Sequence, residues 1–332
     1  MKKSPSLKTD ITSPNHNQVS LEKSFINFVS YGIAAQALCF IEEIGILKIL
    51  LNEGKIGKEE IKKFTNISLV TSTLFTLMGA DIVLWDGNDF YLTIFGKHIA
   101  KKIGFITLPL KGYEKLISKQ KKLLNNPNSF VETDINYSTV ALSSISFGSE
   151  DLDPLLINIF KKLNYNGTIC DLGCGTGEKL VRICKSTNSY GLGIEKNKDV
   201  VKESKKFIKN FSKVEIIKED ILKLSGVWED VTIALASFVL HDIQSQKNTS
   251  KLLHSYKTHF PRMKFLIIVD IVSPSKKIPT IMPGFDYVHG LQGFIPRNYE
   301  ETIEVFENAN YKVFQEIKVP NMPNTFIWIL QH

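Results

Sequence analysis

Arginine is nearly missing from this chain. Of 41 Lys and Arg residues only Arg182, Arg262 and Arg297 are arginine, so the formal net charge of +7 is carried by lysine. No basic stripe interleaved with aromatics appears, which argues against a nucleic-acid surface. A chain rich in Lys, Asn and Ile also follows from AT-rich coding with no binding role. Cysteine is scarce too. Cys39, Cys170, Cys174 and Cys184 show no CxxC spacing, which excludes a disulfide framework and points to small buried thiols in a reducing cytoplasm. The N-terminus (MKKSPSLKTDITSPNHNQ) lacks the apolar stretch of a secretory signal. The most apolar long run, Phe25 to Leu51, is broken by Glu42 and Glu43. It reads as buried amphipathic helices and not as a membrane span.

What remains is ordinary globular material. The 332 residues, 43% hydrophobic and 23% charged, suffice for one large or two medium domains. Residues 1–18 read as a disordered tail. Leu21 to Leu51 reads as helices with more apolar face than one domain needs, the mark of a subunit interface and here of a homodimer. Gly57 precedes a short charged helix, and Asn66 to Ser68 a turn into a second helix, Leu69–Met78. Val83–Trp85 and Phe90–Leu92 flank Asp86-Gly87-Asn88 as a hairpin. That is the order of a winged helix, but the second helix carries no Lys or Arg, which favours packing over DNA binding. The expected division is a tail (1–18), a helical winged-helix dimerisation domain (19–110), linker helices (111–150) and a catalytic domain (151–332).

The second half is organised around Gly167–Leu180, GTICDLGCGTGEKL. Thr168 to Cys170 reads as a buried strand closed by Asp171. Gly173, Gly175 and Gly177 alternate, and helical spacing resumes at Lys179. Alternate glycines permit a sharp turn and a close ligand approach, so strand, turn and helix form a cradle at the carboxyl edge of a parallel sheet. Further strands are expected at Gly191–Glu195, Val214–Lys218, Val231–Ala236 and Phe265–Asp270, with a closing antiparallel hairpin, Tyr311–Lys318 and Thr325–Leu330. Glu195, 24 positions after Asp171, ends the second strand where a carboxylate can accept both hydroxyls of a ribose. Asp220 follows the third strand, placed to meet an exocyclic amine. Ser237-Phe238-Val239-Leu240-His241-Asp242 follows the fourth, bringing an imidazole and a carboxylate to the same edge. A dinucleotide fingerprint would need its third glycine at position 178, which is Glu.

The spacing D-x-G-x-G-x-G, with Glu195 and Asp220 after it, resembles class I S-adenosylmethionine-dependent methyltransferases over about residues 155–332. That resemblance implies a Rossmann-like α/β sheet and S-adenosyl-L-methionine as cofactor. It implies that Asp171, Gly173, Gly175, Gly177 and Ser237 form the cofactor cradle, with Glu195 on the ribose and Asp220 on the adenine. The whole chain, with its N-terminal helical region, VLHD segment, LLHSYKTHFPRMKFLIIVDIVSP and ENANYKVF, resembles the small-molecule O-methyltransferase family. There the histidine matching His241 would be the general base on a substrate hydroxyl, a role a neutral imidazole can fill.

One stretch departs from that family, MPGFDYVHGLQGFIPR. It brings Asp286 and His289 to the mouth of the site. His241, Asp242 and His289 then make a two-histidine, one-carboxylate set suited to iron or zinc. This arrangement resembles metal-assisted C-methyltransferases acting beside the carbonyl of 2-oxo acids, and the resemblance favours C-methylation over O-methylation. Arg297 is expected at a substrate carboxylate or on an exposed helix end, and Phe147 and Tyr287 at the pocket wall. Asp270 reads as a cap for the loop after its strand or as a polar group of the pocket, with the cap favoured. The expected partners are a small-molecule substrate and a second copy of the chain, without nucleic acid or membrane. A different class remains open, a winged-helix regulator that binds DNA and only senses the cofactor.

Overall fold

The structure, a computed structural model, describes residues 16–164 and 166–331. They fall into two compact units, the first ending at Lys101 and the second beginning at Lys102. The expected tail lies largely outside the described residues, since a helix already runs over His16–Glu43.

In the first unit Gly45, at φ 81°, turns that helix into Ile46–Asn52, a backbone angle that glycine adopts without strain. Strands β1 (Lys55–Gly57), β2 (Val83–Trp85) and β3 (Asp89–Leu92) form a sheet in the order β1-β3-β2. The hairpin turn is fixed by Asp86, whose carboxylate accepts the N–H groups of Asn88 and Asp89. β1 was not expected, because three residues carry no periodicity of their own and only pairing with β3 makes them a strand. Helix Ile67–Gly79 is capped by Asn66, whose side chain accepts from Leu69 N–H. Ile41, Ile46, Leu50, Ile56, Leu74 and Leu77 form the fully buried core. Leu21, Phe25, Ile26 and Phe28 on the long helix stay exposed. By length and mean hydropathy alone Ser20–Glu43 is apolar enough to cross a membrane.

The second unit holds β4 (Thr168–Leu172), β5 (Tyr190–Glu195), β6 (Val214–Lys218), β7 (Val231–Ser237), β8 (Phe265–Ile271), β9 (Lys312–Lys318) and β10 (Thr325–Gln331). Their order is β6-β5-β4-β7-β8-β10-β9. The first five run parallel, β10 runs antiparallel to β8, and β9 antiparallel to β10. Every residue of β7 and β8 is buried, as expected of parallel strands covered on both faces. One apolar cluster packs Leu156, Phe160, Leu180 and Ile183 on one face of the sheet. The other packs Leu253, Tyr256, Phe306 and Trp328 on the opposite face. The α/β class and the closing antiparallel hairpin are those expected from the sequence.

The boundaries differ from the expected linker. Residues 102–150 belong to the second unit, joined to its other elements by Tyr287–Gln120 and Lys196–Glu132 hydrogen bonds and held together by polar contacts of their own. Gly104 N–H donates to Ser146 Oγ at 2.9 Å, Thr107 and Ser143 hydroxyls pair at 2.8 Å, and Lys102 bonds Asp151. Sequence composition shows a lysine-rich stretch there and hides these contacts.

Candidate active site

The carboxyl ends of β4, β5, β7 and β8 converge on one edge of the sheet. Gly173, Gly175 and Gly177 all take positive φ, 76°, 55° and 75°. A Cβ at Gly177 would meet Ile216 Cδ1 at 2.3 Å and one at Gly173 would meet Val239 Cγ2 at 2.8 Å. At Gly175 the nearest atom would be Ala141 Cβ at 3.9 Å, an ordinary van der Waals contact, so the middle of the turn is the least crowded of the three. Two glycines pack the turn down and the third leaves its upper surface clear for a ligand.

Asp171 is 2% exposed, and its Oδ1 has no hydrogen-bond partner among the described residues. Burial pushes its pKa up to about 6, against the pull of Lys179. A buried carboxylate oxygen without a donor is costly unless a ligand answers it. Glu195 accepts N–H bonds from Gly175 (3.2 Å) and Asn197 (2.8 Å), which tie the carboxylate to the glycine turn. Burial raises its pKa while those bonds oppose the rise. Asp220 caps the short turn Ile221–Lys223 through Leu222 N–H. Ser237, at the end of β7, accepts from Lys179 Nζ at 2.6 Å. Lys179 is therefore aimed into the cradle, which the sequence reading passed over.

Beyond Ser237 the backbone of Phe238 takes φ 57°, a left-handed conformation that an aromatic residue adopts only when its surroundings impose it. The chain then drops into the turn Leu240–Asp242. His241 is held by the neighbouring strand: Asp270 Oδ1 lies 2.5 Å from its Nδ1, and Asp270 Oδ2 accepts its backbone N–H at 2.9 Å. Asp270 also accepts from Ile271 N–H, and its side chain is 5% exposed. It is thus the partner of His241 in addition to bonding the N–H of its own following residue, so the less favoured of its two expected roles joins the favoured one. With Nδ1–H donated to a carboxylate, Nε2 faces outward, protonated while the ring is charged and carrying a lone pair once the ring is neutral.

His289, on helix Phe285–Leu291, is 2% exposed, and its Nδ1 lies 2.7 Å from Phe285 O. That carbonyl can only accept, so Nδ1 carries the proton and Nε2 again carries the lone pair. The two Nε2 atoms converge on Asp242 Oδ1, at 3.7 Å from His241 and 3.5 Å from His289. One ligand atom from each of the three residues lies within 4.8 Å of the others. His289 Nε2, buried, has no hydrogen-bond partner among the described residues, while the Asp242 side chain is 56% exposed.

Burial opposes charging of His241, but the carboxylates of Asp270 and Asp242 outweigh it and push its pKa up to about 9. Around Asp242 desolvation is likewise overcome by the two imidazoles, and its pKa falls below the usual range. Phe285 and Phe294 wall the imidazoles in, with ring centroids 4.4 and 5.4 Å from His289. Tyr113 and Tyr137 are raised above the ordinary phenol range, chiefly by burial and with Asp242 contributing. Both phenols stay protonated, and that of Tyr137 donates to Glu132 at 3.4 Å.

Two of the expected substrate residues, Arg297 and Tyr287, have other partners. Arg297 is 8% exposed, and its guanidinium donates to the carbonyls of Leu240 and Ile243 and to Thr249 Oγ1. It is neither at an open pocket nor on an exposed helix end; it clamps the turn carrying His241 and Asp242. Tyr287 is half exposed, and its hydroxyl donates to Gln120. Two positions from His289 on one helix, it faces the other way. Asp286 accepts from Ser273 and stands apart from the cluster. The Phe147 side chain lies outside the described residues.

These features meet known proteins at three levels. A family model described as a methyltransferase domain matches residues 163–308. An indolepyruvate C-methyltransferase of Streptomyces griseus is 28% identical over 308 residues, 90% of this chain and 92% of that protein. Human N-acetylserotonin methyltransferase superposes with a TM-score of 0.72 at 13% identity, covering 96% of this chain and 99% of that one. A mitomycin 7-O-methyltransferase gives 0.66 at 14%, covering 95% and 99%. The last two establish the shared fold. Residues 163–308, which include the sheet edge just described, thus match a methyltransferase domain, and the similarities together support an S-adenosylmethionine-dependent methyltransferase.

Proposed function

We propose that the protein transfers a methyl group from S-adenosylmethionine to the carbon beside the carbonyl of a small 2-oxo acid, with a divalent metal, iron or zinc, held by His241, Asp242 and His289. The observation that carries this is the buried, unpartnered Nε2 of His289 facing the same carboxylate oxygen as His241 Nε2. Each imidazole has its other nitrogen tied, one to Asp270 and one to the Phe285 carbonyl. That is how proteins orient imidazoles toward a metal. The donor set, two nitrogens and a carboxylate with open positions, suits iron or zinc. The similarity to an indolepyruvate C-methyltransferase over 90% of the chain supports an aromatic 2-oxo acid.

A metal held by His241, Asp242 and His289 would supply Lewis acidity toward a 2-oxo acid. The chain does the rest. Phe285 and Phe294 exclude water from the imidazole side of the cluster, and Tyr113 and Tyr137 offer protonated phenols beside it. Glu195 and Asp220 would hold the ribose and adenine, and Asp171 with the glycine turn the amino-acid end. The acceptor carbon loses a proton to solvent and bonds the methyl carbon. The S–CH3 bond breaks with its electron pair left on sulfur.

A second reading, O-methylation with His241 as general base, is favoured by one specific observation, the Asp270–His241 contact at 2.5 Å, which would orient the ring for proton abstraction. It leaves His289 without a task. We read the exposed apolar face Leu21–Phe28 as the contact of a homodimer in the cytoplasm, with no role for DNA, since helix Ile67–Gly79 carries no basic residue. The deciding experiment is metal analysis of the purified protein, with turnover of 2-oxo acids and phenols by labelled cofactor before and after chelation. Stoichiometric iron or zinc and chelator-sensitive turnover of a 2-oxo acid support the proposal. Full turnover without metal would reject it in favour of His241 as base.

A further inference from the structure

We propose that Lys179 recognises the carboxylate of the cofactor's amino-acid end, as the positive member of a charge pair whose negative member is Asp171. This rests on the cofactor class assigned above and is independent of which acceptor is methylated.

Lys179 lies in the first turn of helix Glu178–Thr187. There the helix dipole is positive and favours anions, so a cation is misplaced for stability alone. A lysine in that position normally extends its ammonium into water. This one reaches across to the end of β7 and donates to the neutral hydroxyl of Ser237 at 2.6 Å, with the Phe238 ring 5.6 Å away. The adjacent acid, Glu178, is engaged by Arg182. Asp171 raises the same question with the opposite sign: a buried carboxylate whose Oδ1 has no donor, on the strand next to the one ending in Ser237. Cation and anion thus flank one end of the glycine turn.

A zwitterion answers both. S-adenosylmethionine carries an ammonium and a carboxylate on one carbon. The ammonium suits the orphan oxygen of Asp171, and the carboxylate suits Lys179 with the dipole of its helix behind it. Ser237 then serves as the hydroxyl that fixes the lysine in direction.

The test is equilibrium binding, without turnover, of S-adenosylhomocysteine and of its decarboxylated analogue, which keeps the amine and lacks the carboxylate. Wild-type protein should bind the first at least about tenfold more tightly, the scale of one charge-assisted hydrogen bond. Lys179→Met should weaken S-adenosylhomocysteine by roughly ten- to a hundredfold and leave the analogue unchanged, erasing the preference. Lys179→Arg should restore most of it. Equal losses for both ligands, or no loss for either, would overturn the assignment, as would a wild-type protein without preference between them. A folding defect shows itself as the equal-loss outcome and as a lowered Tm. Failure of the 2-oxo acid reading leaves these affinities untouched, so the two fail separately.

Discussion

Replacing Asp270 by Asn tests the part of the site that is most fully determined by geometry. Asp270 accepts three bonds: from the His241 ring, from the His241 backbone and from Ile271 N–H. Asn is the same size but replaces one accepting oxygen with a donating NH2. With its oxygen toward the ring and Ile271, the NH2 confronts the backbone N–H of His241, leaving a buried donor unmet at about 1–3 kcal/mol. Flipped, the NH2 donates to Nδ1 and moves the proton to Nε2, so the face toward Asp242 loses its lone pair. Either arrangement leaves the fold intact, with Tm lower by roughly 2–12 °C at about 2–4 °C per kcal/mol. Turnover should fall by about 10²–10⁴, the range found when an orienting carboxylate is removed from a working histidine. The assay is kcat and bound metal for Asp270→Asn beside wild type, with circular dichroism to verify folding. Wild-type kcat together with wild-type metal content would refute the role of this contact in either chemical reading.

Four further outcomes follow from the same geometry. His289→Ala should abolish bound metal and lower 2-oxo acid turnover by about 100-fold or more; a loss within about tenfold, while His241→Ala is dead, would point to O-methylation instead. Gly177→Ala, with φ 75° and a Cβ only 2.3 Å from Ile216 Cδ1, should destabilise by about 1–3 kcal/mol in urea titrations. Gly175→Ala, whose Cβ would meet Ala141 only at an ordinary contact distance of 3.9 Å, should cost about 1 kcal/mol and mainly weaken cofactor binding in calorimetry. Asp171, with a folded pKa of about 6 against an ordinary 3.8, gives a pH dependence opposite to that of a salt-bridged carboxylate. Between these values the folded chain keeps a proton that the unfolded chain has released. Stability contributed by this group therefore falls as pH rises from about 4 to 6, by up to about 3 kcal/mol. Asp171→Asn should flatten that slope in denaturation at pH 4.5 and 7, and an unchanged slope would contradict the buried charge.

The strands were legible in the sequence because parallel strands buried on both faces read as short apolar runs, and β4 and β6 fall at the expected residues. Glu195 was legible for a related reason: strand-end positions in a βα pattern all lie on one edge. Polar partnerships that cross the sheet were not. Asp270 and His241 are 29 residues apart, and only the adjacency of β7 and β8 brings them together. Arg297 looked available because composition cannot say where a guanidinium goes. The bridge between Ser273 and Asn298 carries it inward to the carbonyls of Leu240 and Ile243. Tyr287 was drawn to the site by its nearness in sequence to His289, and helical periodicity takes it to the opposite face. The clustering of His241, Asp242 and His289 within 4.8 Å also depends on tertiary placement. Its sequence signal was local, a histidine in a stretch that departs from the family pattern.

Which atom receives the methyl group is the central question, and carbon-13 NMR of the product answers it. Protein with its native metal content is incubated with methyl-labelled S-adenosylmethionine and indolepyruvate, and the labelled carbon is located. The account predicts a label bonded to the carbon beside the carbonyl, formed by wild type and lost on chelation or in His289→Ala. A label bonded to oxygen, or a carbon-bonded label that persists undiminished without metal and without His289, would contradict it.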